Sequence, residues 1–342
     1  MQNPRCATDH AAPLRVVYFG TPAFAVPALE RLTGSAEFDV CLVVTQPDRL
    51  AGRGRRLTPS PVRVAAQQLG LPVYQPESLR TSDLRHPLID ADADLFVVAA
   101  YGVIFGEKTL SLPRLACVNL HASLLPRYRG ASPISAAIVN GDASTGVSMM
   151  IMERGLDTGP TIATREIAID RDDTTASLTE RLATLAGDLV ESELPRFAFG
   201  ERQSTAQPSI DASLTRPLLK SDGWIHWSQP AVTIERRIRA MWPWPRAWTT
   251  IAGVLMQIHA AEMSDGQNRR LGSATPGTIR RDGSRLTISC GDVDLVLKTV
   301  QLAGGTPIDG DAFLRRHPDV LNTILGSENG PDDPVAPLII PV

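Results

Sequence analysis

Short apolar runs alternate with helix-patterned segments along the first two hundred residues, and this alternation constrains the chain more than any other feature. Val16-Val17-Tyr18-Phe19, closed by Gly20, reads as a strand. Residues 23–32 follow with Phe24, Ala28, Leu29 and Leu32 at helical spacing. A second strand is expected at 40–44, then a helix over 62–69 with Pro61 at its first position. Residues 73–74, 95–100 and 117–120 supply further strands. Strands separated by helices need parallel βαβ crossovers, so the fold class expected is α/β with a Rossmann-like open sheet. In such sheets the functional site lies at the carboxyl ends of the strands.

After Gly141 the pattern changes. Residues 146–152 and 160–169 read as two longer strands, and 175–194 as a helix stopped by Pro195. The stretch 200–214 is rich in Gln, Ser, Thr and Pro without periodicity, as a linker is. Beyond Asp222 a helix is predicted over 231–241, then short strands at 255–259, 277–279, 286–289 and 294–300, a pattern that suits a small OB-like β-barrel. The division expected is an α/β domain over 14–200, a linker over 201–221, a barrel domain over 222–326 and a disordered tail over 327–342.

Composition narrows the function. Of 342 residues 43% are apolar and 21% charged, enough to build two cores. A net charge of -3 excludes a globally basic nucleic-acid binder but allows a local patch. One such patch is the loop 46–59, where Arg49, Arg53, Arg55 and Arg56 face a single acid, Asp48. Clustered Arg on a Gly/Pro-containing loop suits phosphates and base edges, though a solvated loop has the same composition. Residues 201–326 carry 15 Lys and Arg against 12 Asp and Glu, a mildly basic module. Cys6, Cys41, Cys117 and Cys290 are scattered without metal-ligand spacing, which suits a reducing, cytoplasmic setting. No apolar run approaches a membrane span, and residues 1–13 lack an apolar targeting core. The first strand-to-helix turn, Gly20-Thr21-Pro22, lacks the glycines of a dinucleotide fingerprint. With no phosphate-loop lysine either, nicotinamide and nucleoside-triphosphate chemistry is disfavoured.

The densest chemistry is Asn119-Leu120-His121 at the end of a strand. Strand alternation puts Asn119 and His121 on one face. An amide donor beside an imidazole can polarise an acyl carbon and stabilise its oxyanion. A lone His would more readily be a buried core residue; the adjacent Asn and the Gly/Pro loop after it reverse that balance. Asp157, inside Gly155-Leu156-Asp157-Thr158-Gly159, sits where two glycines allow a sharp loop to bring a carboxylate to the imidazole. Taken alone it reads equally as a turn aspartate.

The run Asn119-Leu120-His121-Ala122-Ser123-Leu124-Leu125-Pro126-Arg127-Tyr128-Arg129-Gly130, with Leu156-Asp157-Thr158-Gly159 downstream, resembles the formyltransferases that use 10-formyltetrahydrofolate. The likeness spans about residues 15–326. It implies Asn119, His121 and Asp157 as the catalytic trio, and Ser123, Leu124, Leu125 and Pro126 as a folate-binding stretch. It also implies that the strand end 97–104, with Val98, Ala99 and Tyr101, lines the pterin pocket. No metal is implied. The Arg-rich loop resembles the insertion with which the tRNA-acting branch grips the acceptor arm, which makes methionyl initiator tRNA the expected acceptor and Arg49, Arg53, Arg55 and Arg56 the expected tRNA contacts. A monomer acting in the cytoplasm, with no membrane partner, is expected. Met241-Trp242-Pro243-Trp244-Pro245-Arg246-Ala247-Trp248 resembles the Pro-Trp-Pro element that opens the family's second domain, its Trp residues serving as packing anchors. One departure is His226, which stands between Trp224 and Trp227 where an acid is expected. Sugar-nucleotide N-formyltransferases share the trio but should lack the Arg-rich loop, and the intact trio argues against a non-catalytic RNA-binding module.

Overall fold

The computed structural model describes residues 12–51, 56–264, 274–326 and 337–342. Its larger sheet contains β1 (Leu14–Gly20), β2 (Phe38–Val44), β3 (Val73–Tyr74), β4 (Leu95–Ala99), β5 (Ala116–His121), β6 (Ser144–Ile151) and β7 (Thr161–Ala168). The strand order is β7-β6-β5-β4-β1-β2-β3. The pairs from β3 to β5 are parallel, and β6 and β7 add antiparallel. Val16 to Phe19 are all fully buried, because helices or loops cover both faces of a parallel sheet and an uninterrupted apolar run is needed there. Val16 and Tyr18 join one core, and Val17 and Phe19 the opposite one with Leu88, Phe96 and Phe105.

The helices of this unit include α1 (Val26–Gly34), α2 (Pro61–Gln68), α3 (Pro133–Asn140) and α4 (Thr175–Ala198). Ser60 caps α2 by accepting from the Arg63 N–H, with Pro61 in the first turn where no N–H partner is needed. Gly141, in the left-handed region at φ 75°, closes α3. The expected stop at Pro195 does not occur: α4 runs on to Ala198. Proline there frees only the carbonyl of Glu191, an exposed position, while Leu194 and Phe197 keep the last turn on the core. Leu178, Leu182, Leu189 and Leu194 are fully buried along α4, each contributing about 1.5–3 kcal/mol of apolar transfer.

The chain crosses from β3 to β4 on the other side of β1, so the order reverses between β1 and β4. The carboxyl ends of β1, β4 and β5 therefore open on one crevice. Beside it the Arg-rich segment forms a hairpin, Arg49–Ala51 pairing antiparallel with Arg56–Thr58. Arg53 and Arg55 lie outside the described residues.

The stretch expected to be a plain linker is bound to the first unit. Thr205 bridges Thr161, and Ser213–Thr215 pairs parallel with Arg129–Gly130. The tail expected to be disordered is corrected at its end: Ile339–Pro341 pairs antiparallel with Ser213–Thr215. An open strand edge offers ladder groups, and Leu338 and Ile339 gain a seat against Tyr128, Ala136 and Ala137. Residues 327–336 lie outside the described residues.

The second sheet contains β8 (Ala247–Ile251), β9 (Val254–Met263), β10 (Ile279–Asp282), β11 (Arg285–Ser289), β12 (Asp294–Leu302) and β13 (Ile308–Asp309). Its antiparallel order is β8-β9-β12-β11-β10, with β13 on β12. Helix α5 (Ala231–Ala240) buries Ile234 and Ile238 in this sheet's core, while Ala240 and Met241 join the core of the first. Strand β8 begins inside the Trp-rich segment. There the Trp248 ring meets Trp224 edge-on at 4.8 Å, and Trp227 Nε1 donates to Thr249 Oγ1 at 3.1 Å. These indoles anchor packing; Trp244 stays exposed.

Candidate active site

Asn119 and His121 end β5, and the loop after β6 brings Asp157 to them. Its tight course depends on glycine: a Cβ at Gly159 would lie 2.0 Å from the Ile151 carbonyl, and one at Gly155 2.1 Å from Thr158 Oγ1. Asp157 itself sits in the left-handed region at φ 51°. Asn119 Nδ2 donates to Asp157 Oδ1 at 3.4 Å, and His121 Nδ1 stands 3.6 Å from Asp157 Oδ2. That second oxygen also accepts the Gly130 N–H at 2.8 Å. The imidazole is 6% exposed, so its partners rather than water set its orientation.

Its other nitrogen, Nε2, lies 2.9 Å from the Tyr128 carbonyl oxygen. A carbonyl only accepts, so Nε2 carries the proton and Nδ1 faces the carboxylate. Tyr128 is held firmly enough to direct that carbonyl. Its N–H donates to Ser213 Oγ at 2.9 Å, and its hydroxyl donates to Asp142 Oδ2 at 2.6 Å. Burial and the Asp142 carboxylate push its phenol well above the ordinary tyrosine range.

A residue outside the sequence-based set joins them. Gln207 Nε2 donates to the carbonyls of Asp157 at 2.8 Å and Gly159 at 2.7 Å. Its Oε1 accepts from Arg129 Nη2 at 2.8 Å and Nε at 3.1 Å. Nothing periodic marks Gln207, and Tyr128 contributes a main-chain atom, so side-chain pattern reading passes over both.

The residues expected to bind folate fall into two groups. Ser123 is buried, its Oγ donating to the Arg127 carbonyl at 2.6 Å, so Ser123 to Pro126 form a self-braced turn. Ser148 Oγ donates to the Ser123 carbonyl at 2.7 Å and accepts the Leu125 N–H at 3.0 Å. Leu124 and Leu125 are half-buried and Pro126 is buried. Val98, Ala99 and Tyr101 are all buried. The Tyr101 ring packs edge-on against Phe19 at 5.5 Å, and burial pushes its phenol up to about 12. The chain then turns through left-handed Ala100 and Gly102, at φ 46° and 80°, to an 86% exposed Ile104. A turned main chain over an apolar wall, beside the trio, suits a flat heterocycle with a polar edge.

The root of the Arg-rich hairpin is tied to this edge. Gln46 Nε2 donates to the Tyr101 carbonyl at 2.7 Å, while Gln46 Oε1 accepts from Arg49 at 2.6 Å. Asp48 accepts from Gln75 at 2.8 Å and pairs with Arg63, and the two together hold its carboxyl below the usual range. The hairpin's one acid is thus committed to a partner on α2, and Arg56 remains exposed.

Residues 14–193 match the Formyl transferase family, and residues 217–318 the formyl transferase C-terminal domain. A methionyl-tRNA formyltransferase of Myxococcus xanthus (strain DK1622) is 43% identical over 304 residues, covering 89% of this chain and 95% of its own. One of Roseiflexus castenholzii (strain DSM 13941 / HLO8) is 45% identical, covering 86% of this chain and 93% of its own. Among solved structures, an N-formyltransferase from Helicobacter canadensis, in complex with folinic acid and dTDP-3-aminofucose, shares the fold with a TM-score of 0.61. It is 17% identical and covers 83% of this chain and 98% of its own.

Proposed function

Because this chain belongs to the formyl transferase family, we infer that it transfers the formyl group of 10-formyltetrahydrofolate to the α-amine of methionyl initiator tRNA. The observation that carries the chemistry is the meeting of Asn119, His121 and Asp157 at one strand end, with the two carboxylate oxygens turned to the amide and the imidazole. The acceptor rests on relatives 42–45% identical over most of the chain, all of them methionyl-tRNA formyltransferases.

In the mechanism, 10-formyltetrahydrofolate supplies an electrophilic formyl carbon. Asn119 Nδ2 offers an N–H to the formyl oxygen as the methionyl amine attacks. Protonated His121 offers Nδ1–H to the same oxygen, and the Tyr128 carbonyl keeps the ring turned that way. Asp157, through water, takes the amine's proton and returns it to the departing folate nitrogen. Turned main chain at 100–104 and the 123–126 turn hold the donor. Arg49, Arg53, Arg55 and Arg56 grip acceptor-arm phosphates, and the mildly basic second sheet extends that surface. The catalytic unit spans 14–200 and a tRNA-facing unit spans 222–326. We place the protein in the cytoplasm as a monomer, where aminoacylated initiator tRNA is made. Among the described residues no helix is long and apolar enough to cross a membrane.

The test is formyl transfer by the purified protein, with methionyl initiator tRNA and an amino-sugar nucleotide in competition. Formylated tRNA is expected. Transfer to the sugar alone would overturn the acceptor.

A further inference from the structure

One side-chain amide in the connection between the two sheets reaches the catalytic loop. Gln207 makes four hydrogen bonds: two donated to the carbonyls of Asp157 and Gly159, two accepted from Arg129. These exhaust the donors of the amide and fill its oxygen. The two carbonyls flank Thr158, so one nitrogen fixes the course of the main chain on both sides of it. The direction of the Asp157 carboxylate follows from that course. Asp157 holds a left-handed conformation, at φ 51°, that few non-glycine residues adopt and that aspartate tolerates better than most. On the opposite side the loop abuts the Ile151 carbonyl at Gly159, so it cannot relax toward β6. Thr205 bridging Thr161 and Leu214 pairing with Arg129 hold Gln207 from both directions along the chain.

We propose that Gln207 is a positioning residue for formyl transfer: its amide clamps the 157–159 carbonyls and thereby aims the Asp157 carboxylate at Asn119 and His121. The clamp deepens the function inferred above and rests on it. It makes the segment between the two units part of the site, acting through Asp157 and touching no substrate.

Only an amide can play both parts. Glutamate would keep Arg129 partnered but could not donate to the carbonyls, whereas leucine would forgo both sets of hydrogen bonds. Gln207→Glu therefore separates the clamp from the satisfaction of Arg129, and it remains informative should Gln207→Leu fold poorly. For both variants kcat should fall by about 10- to 100-fold, the scale of a small misplacement of a reacting group. KM for tRNA and for the formyl donor should stay within about two-fold. In an Asp157→Asn background, adding Gln207→Glu should change kcat by less than about two-fold, since a residue acting through Asp157 has nothing left to aim. Amide hydrogen exchange in the segment 153–160 should quicken by about ten-fold or more in Gln207→Glu. Near-normal kcat in Gln207→Glu, a loss confined to KM, full multiplication of the two losses, or unchanged exchange in 153–160 would each overturn the clamp. If the unaltered protein moves no formyl group, the reaction assignment fails, and the exchange measurement alone then decides whether the clamp exists.

Discussion

His121 Nε2 and the Tyr128 carbonyl oxygen lie 2.9 Å apart, and this contact decides which ring nitrogen can work. The carbonyl takes the Nε2 proton as a permanent partner. Nδ1 is left beside Asp157, 3.6 Å from Oδ2, too far for a direct bond and near enough for electrostatic coupling.

Two substitutions distinguish the roles of the ring nitrogens. An asparagine amide places a donor where Nδ1 stands, and a glutamine amide where Nε2 stands. His121→Gln should lose about 10³-fold or more in kcat, within the range for removing an oxyanion donor or a general acid. His121→Asn should retain about ten-fold more activity than His121→Gln, because it restores the working donor. Steady-state kinetics on both proteins checks the order, and a more active glutamine variant would reverse the assignment.

Ser148 supports the turn at 123–126 from the neighbouring strand. It is fully buried, and its hydroxyl serves the Ser123 carbonyl and the Leu125 N–H at once. Ser148→Ala leaves both without a partner, at about 1–3 kcal/mol for each buried group. The expected outcome is a lower midpoint in thermal unfolding and a several-fold higher KM for the formyl donor, with KM for tRNA unchanged. A donor KM equal to that of the unaltered protein would separate the 123–126 turn from folate binding.

How much of this was legible in the sequence depends on how each residue contributes. Asn119 and His121 could be read because strand alternation puts them on one face and a turn-rich loop follows. Asp157 could be read because its two glycines announce a sharp loop. Tyr128 could not, since it works through its carbonyl while its side chain faces Asp142. Gln207 lies in an aperiodic stretch, where only the tertiary path reveals what an amide can reach. Pro195 misled because helix-breaking rules describe interiors, and one turn from the end a single freed carbonyl at Glu191 can face water. The tail misled because its composition reports its own weak propensity and is silent about the strand edge that Ser213–Thr215 offers it.

The Arg-rich hairpin carries a prediction in salt dependence. Asp48 is committed to Arg63, so nothing acidic within the hairpin offsets its arginines. Replacing Arg49, Arg53, Arg55 and Arg56 with Ala should weaken tRNA binding. It should also flatten the dependence of log affinity on log salt by about 0.7–0.9 for each phosphate that is no longer neutralised. Binding isotherms at several salt concentrations read both effects. An unchanged slope would mean that the hairpin is merely solvated. Formyl-donor binding should not move, because the tie from Gln46 to the Tyr101 carbonyl is retained.

The last strand should matter to catalysis although it lies far along the chain. Ile339–Pro341 covers the open edge of Ser213–Thr215, whose other edge holds Arg129–Gly130. Gly130 donates to Asp157 at 2.8 Å, and Ser213 holds the Tyr128 N–H at 2.9 Å. Asp157, through Gly130, and His121, through Tyr128, thus lean on a three-stranded patch whose outer member is Ile339–Pro341. Deleting residues 337–342 removes that member and uncovers Tyr128 and the middle of α3 at Ala136 and Ala137. The expected result is a fall of several degrees in the unfolding midpoint, from roughly 1–3 kcal/mol of ladder bonding and apolar burial removed. A several-fold lower kcat, with KM for tRNA unchanged, should accompany it. Loss of stability with kcat intact would confine the strand to a structural role, and no change in either would mean that the edge needs no cover.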